Sequence, residues 1–182
     1  MKGIVFTEFL DMIEAKHSAE IIEDLIDDAD LPSRGVYTAV GTYPYTEMVS
    51  LVSSLSEKTG QPVKSLIKNF GEYLFSRFQA LYPQFFSDCT SSFDFLVNVE
   101  TYIHKEVRKL YPEANLPSFV IEEHSPQHFS MIYVSERPFG DLCEGLILGC
   151  LAHFGENAQV TREDLESAPM TRVRFKISKI EA

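Results

Sequence analysis

Tryptophan is absent from this chain, cysteine occurs only three times, and bases are scarce, with 16 Lys and Arg against 27 Asp and Glu. Each shortage excludes something. A net charge of −11 repels phosphate backbones and anionic lipid, so neither nucleic acid nor a membrane surface is an expected partner. Cys89, Cys143 and Cys150 cannot all pair within one chain. Cys143 and Cys150 lie seven apart on a predicted helix, two turns from each other and beyond the reach of a disulfide. Reduced core cysteines and a cytoplasmic protein follow. No stretch approaches the ~18 uncharged apolar residues of a membrane span. Glu8, Asp11 and Glu14 interrupt the opening segment before an uncharged secretory core can form. Also missing are the phosphate-binding G-x-x-x-x-G-K-[ST] loop, the dinucleotide G-x-G-x-x-G turn, the H-E-x-x-H metal pair and the G-x-S-x-G nucleophile elbow. Cys150 and His153 share a helix face at i, i+3, but two ligands without a third do not make a zinc site.

What is present is the material of one ordinary domain spanning residues 1–182, rich in flat apolar side chains (14 Phe, 8 Tyr). Apolar residues at Val5, Phe9, Met12 and Ile13, then Ile21, Ile22, Leu25 and Ile26, recur at helical spacing and predict two amphipathic helices with acidic outer faces. Nine acids and two lysines fall within residues 1–30. Turns follow from Leu31 to Tyr45. Helical spacing resumes over 46–59 and stops at Gly60. Another helix starts at Pro62 and runs to about Leu81, before Pro83. Ser91 or a neighbour caps a helix through FDFLVNVETYIHKEVRKLY that Pro112 ends. SFVIEEH and HFSMIYVSE then read as a hairpin, FGDLCEGLILGCLAHF as a buried helix, and NAQVT and TRVRFKISKI as two more strands. Helices for ~110 residues, then strand, strand, helix, strand, strand, predict an α+β fold with an antiparallel four-stranded sheet and an inserted helix.

Two groups of residues carry candidate chemistry. The stripe Phe93, Leu96, Val99, Ile103, Val107 and Leu110 leaves His104 about 60–100° away, on the flank of the buried face. Periodicity alone makes His104 a half-covered helix-edge residue; neutral imidazole there also suits one axial position of a haem iron. Tyr133, Ser135 and Arg137 alternate at the end of a predicted strand. Two hydroxyls and a guanidinium on one face suit a pair of carboxylates, although such a row also serves as an ordinary solvated strand face.

Together these residues resemble the haem nitric oxide/oxygen-binding (H-NOX) family. The resemblance covers essentially the whole chain: the opening Met1-Lys2-Gly3, Phe70-Gly71-Glu72, His104 with Pro117, the Tyr133-x-Ser135-x-Arg137 row 29 residues beyond His104, and Gly145-Leu146. It implies a b-type haem buried between a helical N-terminal subdomain (1–65) and the haem-binding helices and sheet (66–182). His104 would be the proximal iron ligand and Tyr133, Ser135 and Arg137 would hold the propionates. Pro117 would press the porphyrin out of plane. Val5, Phe9, Leu74, Phe78, Leu142 and Leu146 would form the distal wall. Oxygen-binding members carry a distal tyrosine where this chain has Leu142 and a polar group where it has Leu74; Tyr73 is expected to point elsewhere.

The resemblance therefore implies a non-enzymatic sensor that binds NO and CO at ferrous haem, excludes O2 and signals by release of His104, with Gly71 and Gly145 as pivots. The chain is expected to lack an output domain and to act on a histidine kinase or on an enzyme that makes or degrades cyclic di-GMP. The competing readings are a haem-free interaction module and an O2- or redox-responsive haem protein.

Overall fold

The structure is a computed structural model that describes residues 1–17, 19–166 and 168–180. Its first half is helical: α1 (Gly3–Lys16), α2 (Ala19–Asp28), α3 (Tyr45–Thr59) and α4 (Val63–Leu81). The predicted stops hold. Gly60 ends α3 in the left-handed region, φ 70°, donating its N–H to Ser56 O, and Pro62 precedes α4. Phe6, Phe9, Met12 and Ile13 of α1, Leu25 of α2, Leu51 and Leu55 of α3, and Phe70 and Leu74 of α4 close into one apolar core. The acidic outer face is only partly as expected. The α2 acids are exposed, but Glu8 of α1 is 5% exposed because Arg77 of α4 meets it at 2.6 Å. Glu47 is buried too, accepting hydrogen bonds from Ser33 and Tyr37.

The second half is the predicted sheet with its inserted helix. Strands β1 (Ser118–His124), β2 (His128–Ser135), β3 (Ala158–Leu165) and β4 (Thr171–Lys179) pair antiparallel in the order β1-β2-β4-β3, and α7 (Gly140–His153) sits between β2 and β3 in the chain. β3 runs four residues beyond its predicted end at Thr161. Its outer part is polar and escapes a hydropathy pattern, yet pairs fully with β4; Glu163 stands opposite Arg174 and binds it at 2.7 Å. Phe129, Met131 and Tyr133 of β2, Val173, Phe175 and Ile177 of β4, and Cys143, Ile147, Cys150 and Leu151 of α7 form a second apolar core. Leu146 touches both cores.

The helix predicted through residues 93–111 is instead three pieces end to end: α5 (Ser92–Asn98), a π-helical turn (Val99–Ile103) and α6 (His104–Leu110). Ser91 caps α5 by accepting the Asp94 N–H. The His104 N–H reaches back five residues to Val99 O. One extra residue in a turn rotates everything beyond it by about 100°. The inward position passes from Ile103 to His104, which is only 8% exposed, while Leu110, at the end of the predicted stripe, is 74% exposed. His104 is thus a buried residue, not the flanking one that regular helical spacing indicates.

The two halves are clamped where α4 crosses α7. A Cβ on Gly145 would strike Lys68 O, and one on Gly71 would strike Leu142 O; Gly145 Cα would lie 2.8 Å from that same Gly71 Cβ. Gly71→Ala or Gly145→Ala must push two backbones apart, at about 1–3 kcal/mol. Each should lower the urea midpoint clearly. Gly60→Ala, with open space around it, carries only left-handed strain of about 1–2 kcal/mol. Gly145→Ala unfolding like wild type would refute the close packing.

Candidate functional site

His104 opens the site. Its Nδ1 lies 3.1 Å from Glu100 Oε2, and its ring tilts against Phe119 at 5.7 Å between centroids. Burial lowers the pKa of the ring below 6.5, with Glu100 pulling the other way, so the imidazole is neutral at pH 7. A carboxylate at Nδ1 assigns the proton to that nitrogen and the lone pair to Nε2. Nε2 has no hydrogen-bond partner among the described residues. It is not sealed in protein either, since the only fully buried, partnerless side-chain N or O atom among them is Glu47 Oε1.

Phe119 leads from His104 to the sheet. Its ring stands 5.9 Å from that of Tyr133, and the half-buried Pro117 lies two residues before it at the mouth of β1. Tyr133 and Ser135 are buried on β2. Burial pushes the Tyr133 phenol up to about 12, opposed by the Ser135 hydroxyl beside it, so the phenol stays a proton donor. Arg137 lies just beyond the strand end, where its backbone N–H donates to Ser135 Oγ at 3.0 Å. Among the described residues, every other Lys or Arg that is not exposed has an acidic partner, and Arg137 has none. In a chain of net charge −11 that leaves its guanidinium uncommitted to any carboxylate of the protein.

The six expected distal residues all fall in or against the first apolar cluster. Phe9 and Leu74 are core residues of the first apolar cluster, and Val5, Phe78, Leu142 and Leu146 pack against it. Leu146 also borders the second cluster, of which Tyr133 is a member and against which Phe119 packs. Tyr73 packs against that same first cluster. Burial raises its pKa and so does the neighbouring Glu8 carboxylate, which is itself bound to Arg77. Sequence reasoning missed the Glu8–Arg77 pair, which is 69 residues apart. It also missed Glu100 and Phe119, although Glu100 at i−4 from His104 was open to view as a helical pair.

These residues suit a haem on three counts: a neutral imidazole with a free lone pair, apolar side chains that accept a flat ring, and anion donors in Tyr133, Ser135 and Arg137. Among the described residues no group of three His, Cys, Asp or Glu side chains is placed to hold a metal ion unaided, and Cys150 and His153 gain no third ligand.

Comparison with known proteins agrees. Residues 2–162 match the Haem-NO-binding family, and the chain belongs to it. Solved H-NOX structures superpose along the entire chain. The Fe(II) unliganded H-NOX protein from K. algicida is 38% identical, with a TM-score of 0.93 over 100% of this chain and 98% of that one. The S. oneidensis H-NOX protein in the Fe(II)NO state is 24% identical, with a TM-score of 0.90 over all of both chains. A point mutant of T. tengcongensis H-NOX is 21% identical, with a TM-score of 0.88 over 100% and 98%. At identities this low the last two likenesses speak for the fold. No match was found among curated proteins. The family is one of haem-based gas sensors. No helix among the described residues is long and apolar enough to cross a membrane.

The depressed pKa of His104 fixes the sign of an acid response. Above pH 6.5 the ring is neutral both folded and unfolded. Below it the unfolded chain takes the proton first, so stability is lost as pH falls through the folded value. In the haem-free protein, the urea midpoint should fall further between pH 7.5 and 5.5 in wild type than in His104→Gln, and equal falls would contradict the buried neutral ring.

Proposed function

We propose that the protein is a ferrous-haem sensor of nitric oxide that also takes carbon monoxide, excludes dioxygen and regulates a separate signalling protein. The observation that carries this reading is the pairing of a buried, neutral His104 with a wall of six apolar side chains. A b-type haem held there by His104 Nε2 would supply an iron that binds a diatomic gas. Tyr133, Ser135 and Arg137 bind its propionates, since two hydroxyls and an unpaired guanidinium match two carboxylates. Pro117, at the mouth of β1, presses on the ring and distorts it.

Selectivity comes from what the distal wall withholds. Bound dioxygen draws negative charge and gains from a hydrogen-bond donor, whereas NO binds tightly without one. Val5, Phe9, Leu74, Phe78, Leu142 and Leu146 donate nothing.

The signal is the release of His104. Loss of its hold on the haem would free the segment 92–110 from a tether and relieve the contact at Pro117. The helical N-terminal part then turns against the C-terminal sheet, with Gly71 and Gly145, where the α4 and α7 backbones meet without side chains between them, as pivots. A change in the relative energy of two arrangements is what a switch requires. The output is a histidine kinase or an enzyme of cyclic di-GMP turnover, and the action is sensory, not catalytic. Three free cysteines favour the cytoplasm as its compartment.

Spectra of the reduced protein test the reading. NO should convert it to a five-coordinate haem spectrum and CO to a six-coordinate one, while air leaves no reversible O2 complex; stable O2 binding would sink the selectivity claim. His104→Gly should regulate the output as NO does. Arg137→Ala should lose haem to an acceptor globin on the order of 10-fold faster, from the loss of a charge-assisted bond of about 1.5 kcal/mol or more. Unchanged haem loss would remove Arg137 from the propionate site.

A further inference from the structure

We propose that Glu100 is a positioning residue for His104: its carboxylate fixes the plane and tautomer of the ring and thereby sets how firmly Nε2 holds iron. The inference rests on the reading of His104 as axial ligand.

Three observations carry it. Glu100 Oε2 is 3.1 Å from His104 Nδ1, within hydrogen-bond reach. The same oxygen accepts the backbone N–H of Phe119 at 3.3 Å, so the carboxylate is anchored from β1, an element that does not bear the histidine. The π turn that carries Glu100 also turns His104 inward and sets both side chains on one line along the helix. A freely rotating glutamate would lose conformational entropy on meeting the ring; here the backbone of β1 holds it in place.

The chemistry follows from the direction of that bond. A carboxylate accepting the Nδ1 proton makes the opposite nitrogen a stronger donor. Glu100 therefore strengthens the bond that NO must break, and it sets the point at which His104 lets go. After release the ring remains bound to Glu100, and through it to Phe119, so helix and sheet feel the event together. Arg108 opposes this. Its Nη2 lies 3.8 Å from Glu100 Oε1, half exposed, and draws charge away from the carboxylate.

The two neighbours thus predict shifts of opposite sign. The measurement is the iron–histidine stretching band in resonance Raman spectra of the reduced, haem-loaded protein. Glu100→Ala should lower its frequency most. Glu100→Gln should lower it by a smaller amount, since the amide oxygen still accepts from His104 and Phe119 without the charge. Arg108→Gln should raise it. After mixing with NO, five-coordinate haem should form about 10-fold faster in Glu100→Ala than in wild type, the lower end of what such outer partners contribute. A purely structural role for Glu100 would weaken haem retention without moving the band in two directions. If Glu100→Ala fails to retain haem, the Gln and Arg108 variants decide. A band unmoved in both would overturn the proposal. If wild type shows no band that His104→Gly abolishes, the axial-ligand reading itself fails, which is a separate result.

Discussion

The contact of bare backbone with bare backbone where α4 crosses α7 governs the placement of everything else. Gly71 and Gly145 have no Cβ because none fits. Helices that close bring forward Leu74 and Phe78, one and two turns beyond Gly71 on α4, and Leu142 and Leu146, one turn before and one residue after Gly145 on α7. These four complete a wall begun by Val5 and Phe9 of α1. The crossing also decides that two apolar cores exist instead of one, since α4 and α7 each give residues to both. The boundary between the cores is where an inserted planar group displaces the least packing.

Charge also organises the molecule. Acids predominate, yet most inward-facing charges are answered: Glu8 by Arg77, Glu144 by Lys68, Glu156 by Lys179, Asp141 by Arg162. Against that background an unanswered Arg137 has a meaning that a lone surface arginine would lack. A partly buried cation is costly unless something neutralises it, and Tyr133 and Ser135 stand beside it with hydroxyls to share the same anion.

Much of this was legible in the residues. Gly60, Pro62 and Ser91 marked helix ends, the alternation of TRVRFKISKI marked β4, and helix then sheet gave the fold class. The inward faces of α1 and α2 were legible as well, because apolar residues at three- and four-residue spacing must share a face. Strand order was not, since β2 pairs with β4 across an intervening helix and strand. Nor was the burial of His104. Hydrophobic periodicity assumes one constant angle per residue, and a single π turn violates it. Glu8 shows the converse limit: an acid on an acidic helix looks solvated until a distant Arg77 folds against it.

The π turn has a consequence of its own. A backbone N–H bonds either four or five residues back, and between those geometries it has neither partner. The orientation of the helix beyond Val99 is therefore counted in whole residues, like the tooth of a gear, and not adjusted by degrees. A mutation or ligand that relaxed this turn would step the face bearing His104 by one full position, exchanging the histidine for Ile103 at the boundary of the two cores.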